Sequence, residues 1–231
     1  MLVLFDIDAT LIKTSRAGLY AMQDGFKLLH GRECDLEGVQ YAGCLDPVIF
    51  GIVLAKNGVE ITHENIAAFR IEYRRNLSVR LQVQGTGYLL EGAETLVRRL
   101  SEVDSLTLGL LTGNWEDTGR MKLDVCGLDT TPFVVNAFGD ASPHPEPLRS
   151  HLVEVAMQRY QLHFESSIAP EKVVVIGDSP HDVECAKTNG CVSLAVATGL
   201  HDTDTLHACG ADLAVESLAE TEFLFDWITQ R

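Results

Sequence analysis

The segment Leu2-Val3-Leu4-Phe5-Asp6-Ile7-Asp8-Ala9-Thr10 places two carboxylates, two positions apart, at the end of a short apolar run. An apolar run of this length bounded by polar residues reads as a buried strand. Open α/β sheets bind their ligands just outside the carboxyl ends of the strands, so Asp6 and Asp8 stand where a site belongs. Residues i and i+2 of a regular strand share a face, and both acids point into one volume unless the backbone turns between them. Two bare carboxylates in one volume repel, which calls for a cation or for a proton on one of them. A calcium loop is a poor fit, because Thr10 and Leu11 occupy the places where such a loop needs an acid or amide and then a glycine.

Beyond this strand the chain turns helical. Apolar residues recur at three- and four-residue intervals over Ala17 to Leu29, Pro47 to Lys56 and Thr62 to Leu81, with no strand between them. From Leu89 the pattern alternates. It predicts helix 92–102, strand Leu106 to Thr112, helix 116–125, strand Phe133 to Asn136, helix 147–160, strand Val173 to Gly177, helix 181–189, strand Val192 to Ala197 and a short strand Asp212 to Val215. Strands alternating with helices indicate an α/β fold, a doubly wound parallel Rossmann-like sheet covered on both faces. The economical organisation is a core formed by residues 1–13 and 86–231, interrupted after its first strand by an all-helical insertion, residues 14–85, hanging over the carboxyl end of the sheet.

Composition narrows the partners. The chain has 231 residues, 46% of them hydrophobic, enough for a sizeable core. Its net charge of -15 argues against nucleic acid and against anionic membrane surfaces, both of which demand basic patches. No apolar run reaches membrane-spanning length and the amino terminus lacks the pattern of a secretory signal, so the expected location is the cytoplasm. The cysteines at 34, 44, 126, 185, 191 and 209 show no zinc-site spacing and read as reduced thiols. If the substrate is anionic, a metal, helix amino termini or a few placed cations must reverse the local field.

Three strand ends carry polar residues. The first delivers Asp6 and Asp8, the second Thr112-Gly113-Asn114, and a third Gly177-Asp178-Ser179-Pro180-His181-Asp182. A hydroxyl followed by glycine at a helix start suits a phosphate oxygen. Asp178 and Asp182 beside Asp6 make an oxygen-only cluster of the kind Mg2+ prefers.

These blocks, in this order, resemble the haloacid dehalogenase superfamily, in particular its phosphoglycolate-phosphatase-like branch with a helical cap. The segment Ala42-Gly43-Cys44-Leu45-Asp46-Pro47 also resembles the loop such caps place over the active site. The resemblance implies a Mg2+-dependent phosphatase acting on a small phosphorylated metabolite. Asp6 would be the nucleophile that forms an aspartyl-phosphate, and Asp8 the general acid and later the base. Mg2+ would be held by the Asp6 carboxylate, the Asp8 carbonyl and Asp178, with Asp182 ligating it or orienting its water. Thr112, Gly113 and Asn114 would hold the phosphoryl group. The presence of Asp8 favours phosphoryl transfer over dehalogenation, which needs no acid for its leaving group.

The chain departs from the resemblance at one charge. The expected lysine falls on Ser142 in the segment Ser142-Pro143-His144-Pro145-Glu146-Pro147-Leu148, and in another alignment the expected arginine falls on Pro145. Neither is a cation. Arg149, His144 and the cap residue Arg16 are the candidates to supply the charge, Arg149 being assigned to phosphate binding. The missing lysine motivates an alternative, a weakened relative that binds a phosphorylated ligand or a partner, and a phosphomutase is a third reading. Ala9 stands where glycine is usual, and is costly only if its φ is positive. Gly177-Asp178-Ser179 with Asp204 and His207 also matches pieces of a serine esterase, at the wrong separation. His201, Asp202, Asp204 and His207 read as the solvated start of a surface helix, and Trp115 as core packing.

Overall fold

The computed structural model describes residues 1–231. The first strand, β1 (Leu2–Phe5), lies at the centre of the molecule because its residues are apolar on both sides. Val3 and Phe5 face one core and Leu2 and Leu4 the other, the period-2 alternation of a strand covered on both faces. A short strand β2 (Ile12–Lys13) follows, then three helices, α1 (Ala17–His30), α2 (Asp46–Lys56) and α3 (His63–Leu81). The remainder is β3 (Tyr88–Leu89), α4 (Ala93–Ser101), β4 (Thr107–Leu110), α5 (Glu116–Cys126), α6 (His151–Phe164), β5 (Val173–Gly177), α7 (Pro180–Thr188), β6 (Val192–Val196), α8 (Thr203–Ala208), β7 (Leu213–Val215) and α9 (Thr221–Thr229).

Five strands form one parallel sheet in the order β4-β1-β5-β6-β7. One face packs on α4, α5 and α9 through Leu96, Leu100, Leu123, Leu224 and Ile228. The other packs on α6 and α7 through Leu152, Val153, Ala156, Cys185 and Ala186. The two strands outside the sheet, β2 and β3, pair antiparallel where the chain leaves for the helices and where it returns. No helix is long and apolar enough to cross a membrane.

Helices α1–α3 share a separate apolar cluster built on Phe26, Phe50, Phe69 and Leu77. Thr62 caps α3 by accepting the Asn65 N–H at 3.1 Å, and Gly31 ends α1 with φ 65°. Gly25 lets α1 approach α3, since a Cβ there would sit 3.0 Å from the Tyr73 nitrogen. Trp115, which comes from the sheet side, is buried in this helical cluster and meets Phe50 edge-on at 4.5 Å.

Two expectations need correction, and two elements were not expected. Phe133–Asn136 is not a strand: beside β4 it makes only isolated bridges, Leu108 with Phe133 and Leu111 with Ala137. The Leu108 carbonyl accepts from both Val134 and Val135, and the Asn136 side chain takes the Leu110 N–H at 3.0 Å, which breaks the ladder. The helix expected at 147–160 runs instead from His151 to Phe164, because the proline-rich stretch before it is irregular and His151 Nδ1 accepts the Leu148 N–H. Helix α9 and the β2–β3 pair go unforeseen, the latter too short for periodicity to register.

Candidate active site

The register of the sheet assembles the site. Phe5 lies opposite Leu110 on one side and Ile176 on the other, so the residues just beyond the three strands converge. They are Asp6, Thr112 and Asp178, all buried, and all line a cavity of about 480 Å³. Asp182, on the first turn of α7, completes the group. Carboxylate oxygens of Asp6, Asp178 and Asp182 lie within 4.8 Å of one another.

Asp178 and Asp6, buried this close together, resist ionisation. Burial, then the charges of Asp182 and Asp6, push Asp178 up to about 8. Burial likewise raises Asp6 to about 6, although Arg149 pulls it down. Arg149 is the cation whose place the sequence left empty. Its Nη2 forms an ion pair with Asp6 Oδ1 at 2.9 Å and donates to Asp182 Oδ1 at 2.6 Å, and Nη1 donates to the Gly43 carbonyl at 3.2 Å. The Arg149 Nε–H is buried without a protein acceptor. Ser142, in the lysine position, is bonded instead to His151 at 3.0 Å and does not line the cavity.

Beyond Asp6 the backbone turns sharply. The Ile7 carbonyl accepts the N–H groups of Leu11 and Ile12, and Ala9 takes φ 57°, the conformation in which alanine is strained. The turn carries the Asp8 carboxylate to the opposite side of the cavity. There Asn114 Nδ2 donates to Asp8 Oδ2 at 2.8 Å and Lys122 Nζ donates to the same oxygen at 2.7 Å. Asn114 Nδ2 also reaches Thr112 Oγ1 at 2.9 Å, and its Oδ1 accepts from Lys122 at 2.6 Å. Asn114, expected to hold a phosphoryl oxygen, therefore spends its amide on Asp8, Thr112 and Lys122. The Thr112 hydroxyl accepts from Asn114, which leaves its own proton to offer.

Sequence reasoning missed Lys122. Its side chain is only 8% exposed, and burial, which opposes its charge, is outweighed by Asp8, Tyr73 and Asp46, so its pKa rises. The signal was present: Lys122 shares the inward stripe of α5 with Thr118, Gly119 and Leu123, where a lysine is out of place without a partner.

The helical segment is docked over this site. The Asp46 N–H donates to the Gly113 carbonyl at 2.7 Å, and the Trp115 N–H donates to Asp46 Oδ2 at 3.1 Å. Glycine is required at 113 because a Cβ would collide with the Cys44 carbonyl. Gly43 is similarly tight, 2.6 Å from Ser179 Oγ to a Cβ built there. Burial, partly offset by Lys122, pushes Asp46 up to about 6. Arg70 and Arg74 pair with Asp117 at 3.2 and 3.0 Å, and Arg70 stacks over Trp115.

The rival constellations disperse. Ser179 caps α7 in a reciprocal pair with Asp182 and is buried, while Asp204 and His207 sit on α8 away from the cavity. Asp202 caps α8 by accepting the Thr205 N–H at 2.8 Å. His144 lies outside the cavity, whereas Arg16 lines it.

The acid cluster fits a divalent cation. Asp6, Asp178 and Asp182 bring three carboxyl groups against the single positive charge of Arg149, and a cation would favour their ionised forms. Both Asp182 oxygens accept bonds from the protein, Oδ1 from Arg149 and Oδ2 from Ser179, so the open oxygens belong to Asp6 and Asp178. All donors are oxygens, the set suited to Mg2+. Glycine at 199 keeps the Asp178 side accessible, since a Cβ there would overlap its carboxylate.

A parallel sheet with carboxylates at its central strand ends and a helical segment docked over them defines a class. Residues 3–196 match the family described as haloacid dehalogenase-like hydrolase, and the chain belongs to that family of enzymes. Pyrophosphatase PpaX of Oceanobacillus iheyensis is 25% identical over 226 residues, covering 94% of this chain and 93% of that protein. Phosphoglycolate phosphatase of Chromobacterium violaceum is 45% identical over a stretch of 53 residues, 23% of this chain and 22% of that protein. Among solved structures, CbbY from Rhodobacter sphaeroides in complex with phosphate is similar with TM-score 0.74 at 19% identity, over 95% of each chain.

Proposed function

We propose that this protein is a Mg2+-dependent phosphatase that hydrolyses a small phosphorylated metabolite through an aspartyl-phosphate on Asp6. The observation that carries the reading is the meeting of Asp6, Thr112, Asp178 and Arg149 around one cavity at the carboxyl edge of the sheet. The phosphatases among its relatives support the same class of substrate.

Asp6 attacks phosphorus, and the bond from phosphorus to the leaving oxygen breaks. Asp8 gives its proton to that oxygen. A water then attacks phosphorus, Asp8 takes the water's proton, and inorganic phosphate and free Asp6 are regenerated. Thr112 Oγ1, the Gly113 N–H and the Arg149 guanidinium are the donors for the phosphoryl oxygens, where preorganised donors supply most of the rate. Mg2+, held by Asp6, Asp178 and the Asp8 carbonyl with Asp182 behind them, would neutralise the charge of the phosphoryl group and of the acids. Asn114 orders Asp8 and Thr112 rather than touching substrate. Residues 14–85 act as a cap that excludes water from the acyl-phosphate, on a core of residues 1–13 and 86–231.

Arg149 beside Asp6 removes the observation that favoured a binding-only role. The test is phosphate release from a panel of small phosphoesters and pyrophosphate, with Mg2+ and with chelator, for wild type and Asp6→Asn. Metal-dependent release that disappears in Asp6→Asn is the expected result. Absence of release from every compound by folded wild type overturns the reading.

A further inference from the structure

Resting on the phosphatase reading, we propose that Lys122 is a positioning residue that makes the placement of the Asp8 carboxylate conditional on the docked cap. Lys122 belongs to α5, on the sheet side, and its ammonium reaches Asp8 Oδ2 at 2.7 Å and Asn114 Oδ1 at 2.6 Å. Its other neighbours come from the helical segment. The Asp46 carboxylate acts on its charge, and Tyr73, which burial keeps neutral by pushing its phenol well above the usual range, is buried in the helical cluster. Gly18 of α1 lies directly over the same group: a Cβ built there stands 3.3 Å from Tyr73 Oη and 3.8 Å from Lys122 Nζ. The lysine is thus the point where catalytic acid, core helix and cap meet.

The geometry has a chemical consequence at Asp8. Lys122 and Asn114 both donate to Oδ2, which leaves no room for a proton on that oxygen. The proton Asp8 delivers must therefore ride on Oδ1, and the Asp8 side chain is 41% exposed while Lys122 is buried. Two donors on one oxygen fix the rotation of the carboxylate and aim the other oxygen at the cavity. The clamp holds only while the lysine is enclosed. With the helical segment lifted, Tyr73, Asp46 and α1 leave the ammonium, water reaches it, and its hold on Asp8 weakens. Acid–base catalysis is then assembled by closure, before which Asp8 is a loosely held surface acid.

The experiment is a double-mutant cycle on Asp8→Asn and Lys122→Met, with an alkyl phosphate and an activated aryl phosphate, folding being checked by thermal melting. Lys122→Met is expected to lower kcat for the alkyl phosphate by about 10²-fold with KM within about threefold, and to spare the aryl phosphate, whose leaving group needs no proton. In the Asp8→Asn background the same substitution is expected to cost less than about threefold. Equal losses in both backgrounds, or for both substrates, mean a structural role and overturn the proposal. Lys122→Arg keeps the charge demanded by the buried acids and is the second variant should Lys122→Met not fold; a smaller loss with the same substrate bias is expected, and an unbiased one counts against the proposal. Crystal structures of wild type and variant carry the test even if wild type releases no phosphate. Asp8 leaving Asn114 in the variant supports the clamp; Asp8 unmoved contradicts it.

Discussion

The Arg149 guanidinium lies 2.9 Å from the Asp6 carboxylate, and one nitrogen serves both Asp6 and Asp182. Arg149 precedes α6 and reaches the site from beyond the proline-rich stretch, which is how this chain places a cation beside Asp6 without the expected lysine. Removing it leaves buried acids uncompensated. Arg149→Met is expected to lower phosphate release by about 10²-fold or more and to destabilise by roughly 3–5 kcal/mol, read from steady-state rates and urea melts. Unchanged rates would show that Arg149 only neutralises Asp182.

Metal and pH are linked through the acid cluster. The folded form holds protons on Asp178 and Asp6 that the unfolded chain has released, so each unit of pH between the ordinary carboxylate value and about 8 costs stability in the absence of metal. Melting temperature without metal should therefore fall as pH rises across that window. Mg2+ at ~100 times its Kd adds about 2.7 kcal/mol, roughly 5–10 °C here, and one fixed Mg2+ concentration adds more at pH 8 than at pH 6, because the metal then displaces fewer protons. A melting temperature indifferent to Mg2+ at both pH values would contradict the metal assignment.

Gly113 is held against the cap by contact of backbone with backbone. Gly113→Ala is expected to push the Cys44 carbonyl away, break the Asp46 to Gly113 hydrogen bond and expose the 41–46 loop to protease. Geometry lost at this seam is expected to cost about 10²-fold in kcat/KM. Wild-type proteolysis with wild-type rates would mean the seam has no bearing on the site.

Ala9 has φ 57°, and glycine would relieve the strain. Ala9→Gly is expected to be neutral or to stabilise by about 1 kcal/mol, the loss of strain being partly offset by chain entropy. A destabilisation measured in urea would show that the Ala9 methyl packs usefully.

The strands were legible because β1 and β5 are buried on both faces and read as unbroken apolar runs, and most helices because their apolar residues recur at three- and four-residue intervals. That Asp6, Asp8, Thr112 and Asp178 meet at one cavity was legible because each comes shortly after a strand end. Phe133–Asn136 misled because an edge segment can satisfy its neighbour with a side chain, as Asn136 does, and apolar composition alone does not distinguish that from a ladder. Lys122 lies on a helix rather than at a strand end, and its partner Asp8 is 114 residues away, so only its place on the inward stripe of α5 marked it in the sequence. Asn114 looked like a phosphate ligand because its neighbours Thr112 and Gly113 do, and only the lysine reveals where its amide is spent.

The central claim is that Asp6 becomes phosphorylated. The direct measurement is mass spectrometry of the peptide bearing Asp6 after acid quench of the Asp8→Asn enzyme turning over an activated aryl phosphate with Mg2+. A phosphoryl adduct on Asp6, absent when Asp6 is replaced by asparagine, is the expected result. Turnover that persists in Asp6→Asn, with no adduct in any peptide, would contradict it.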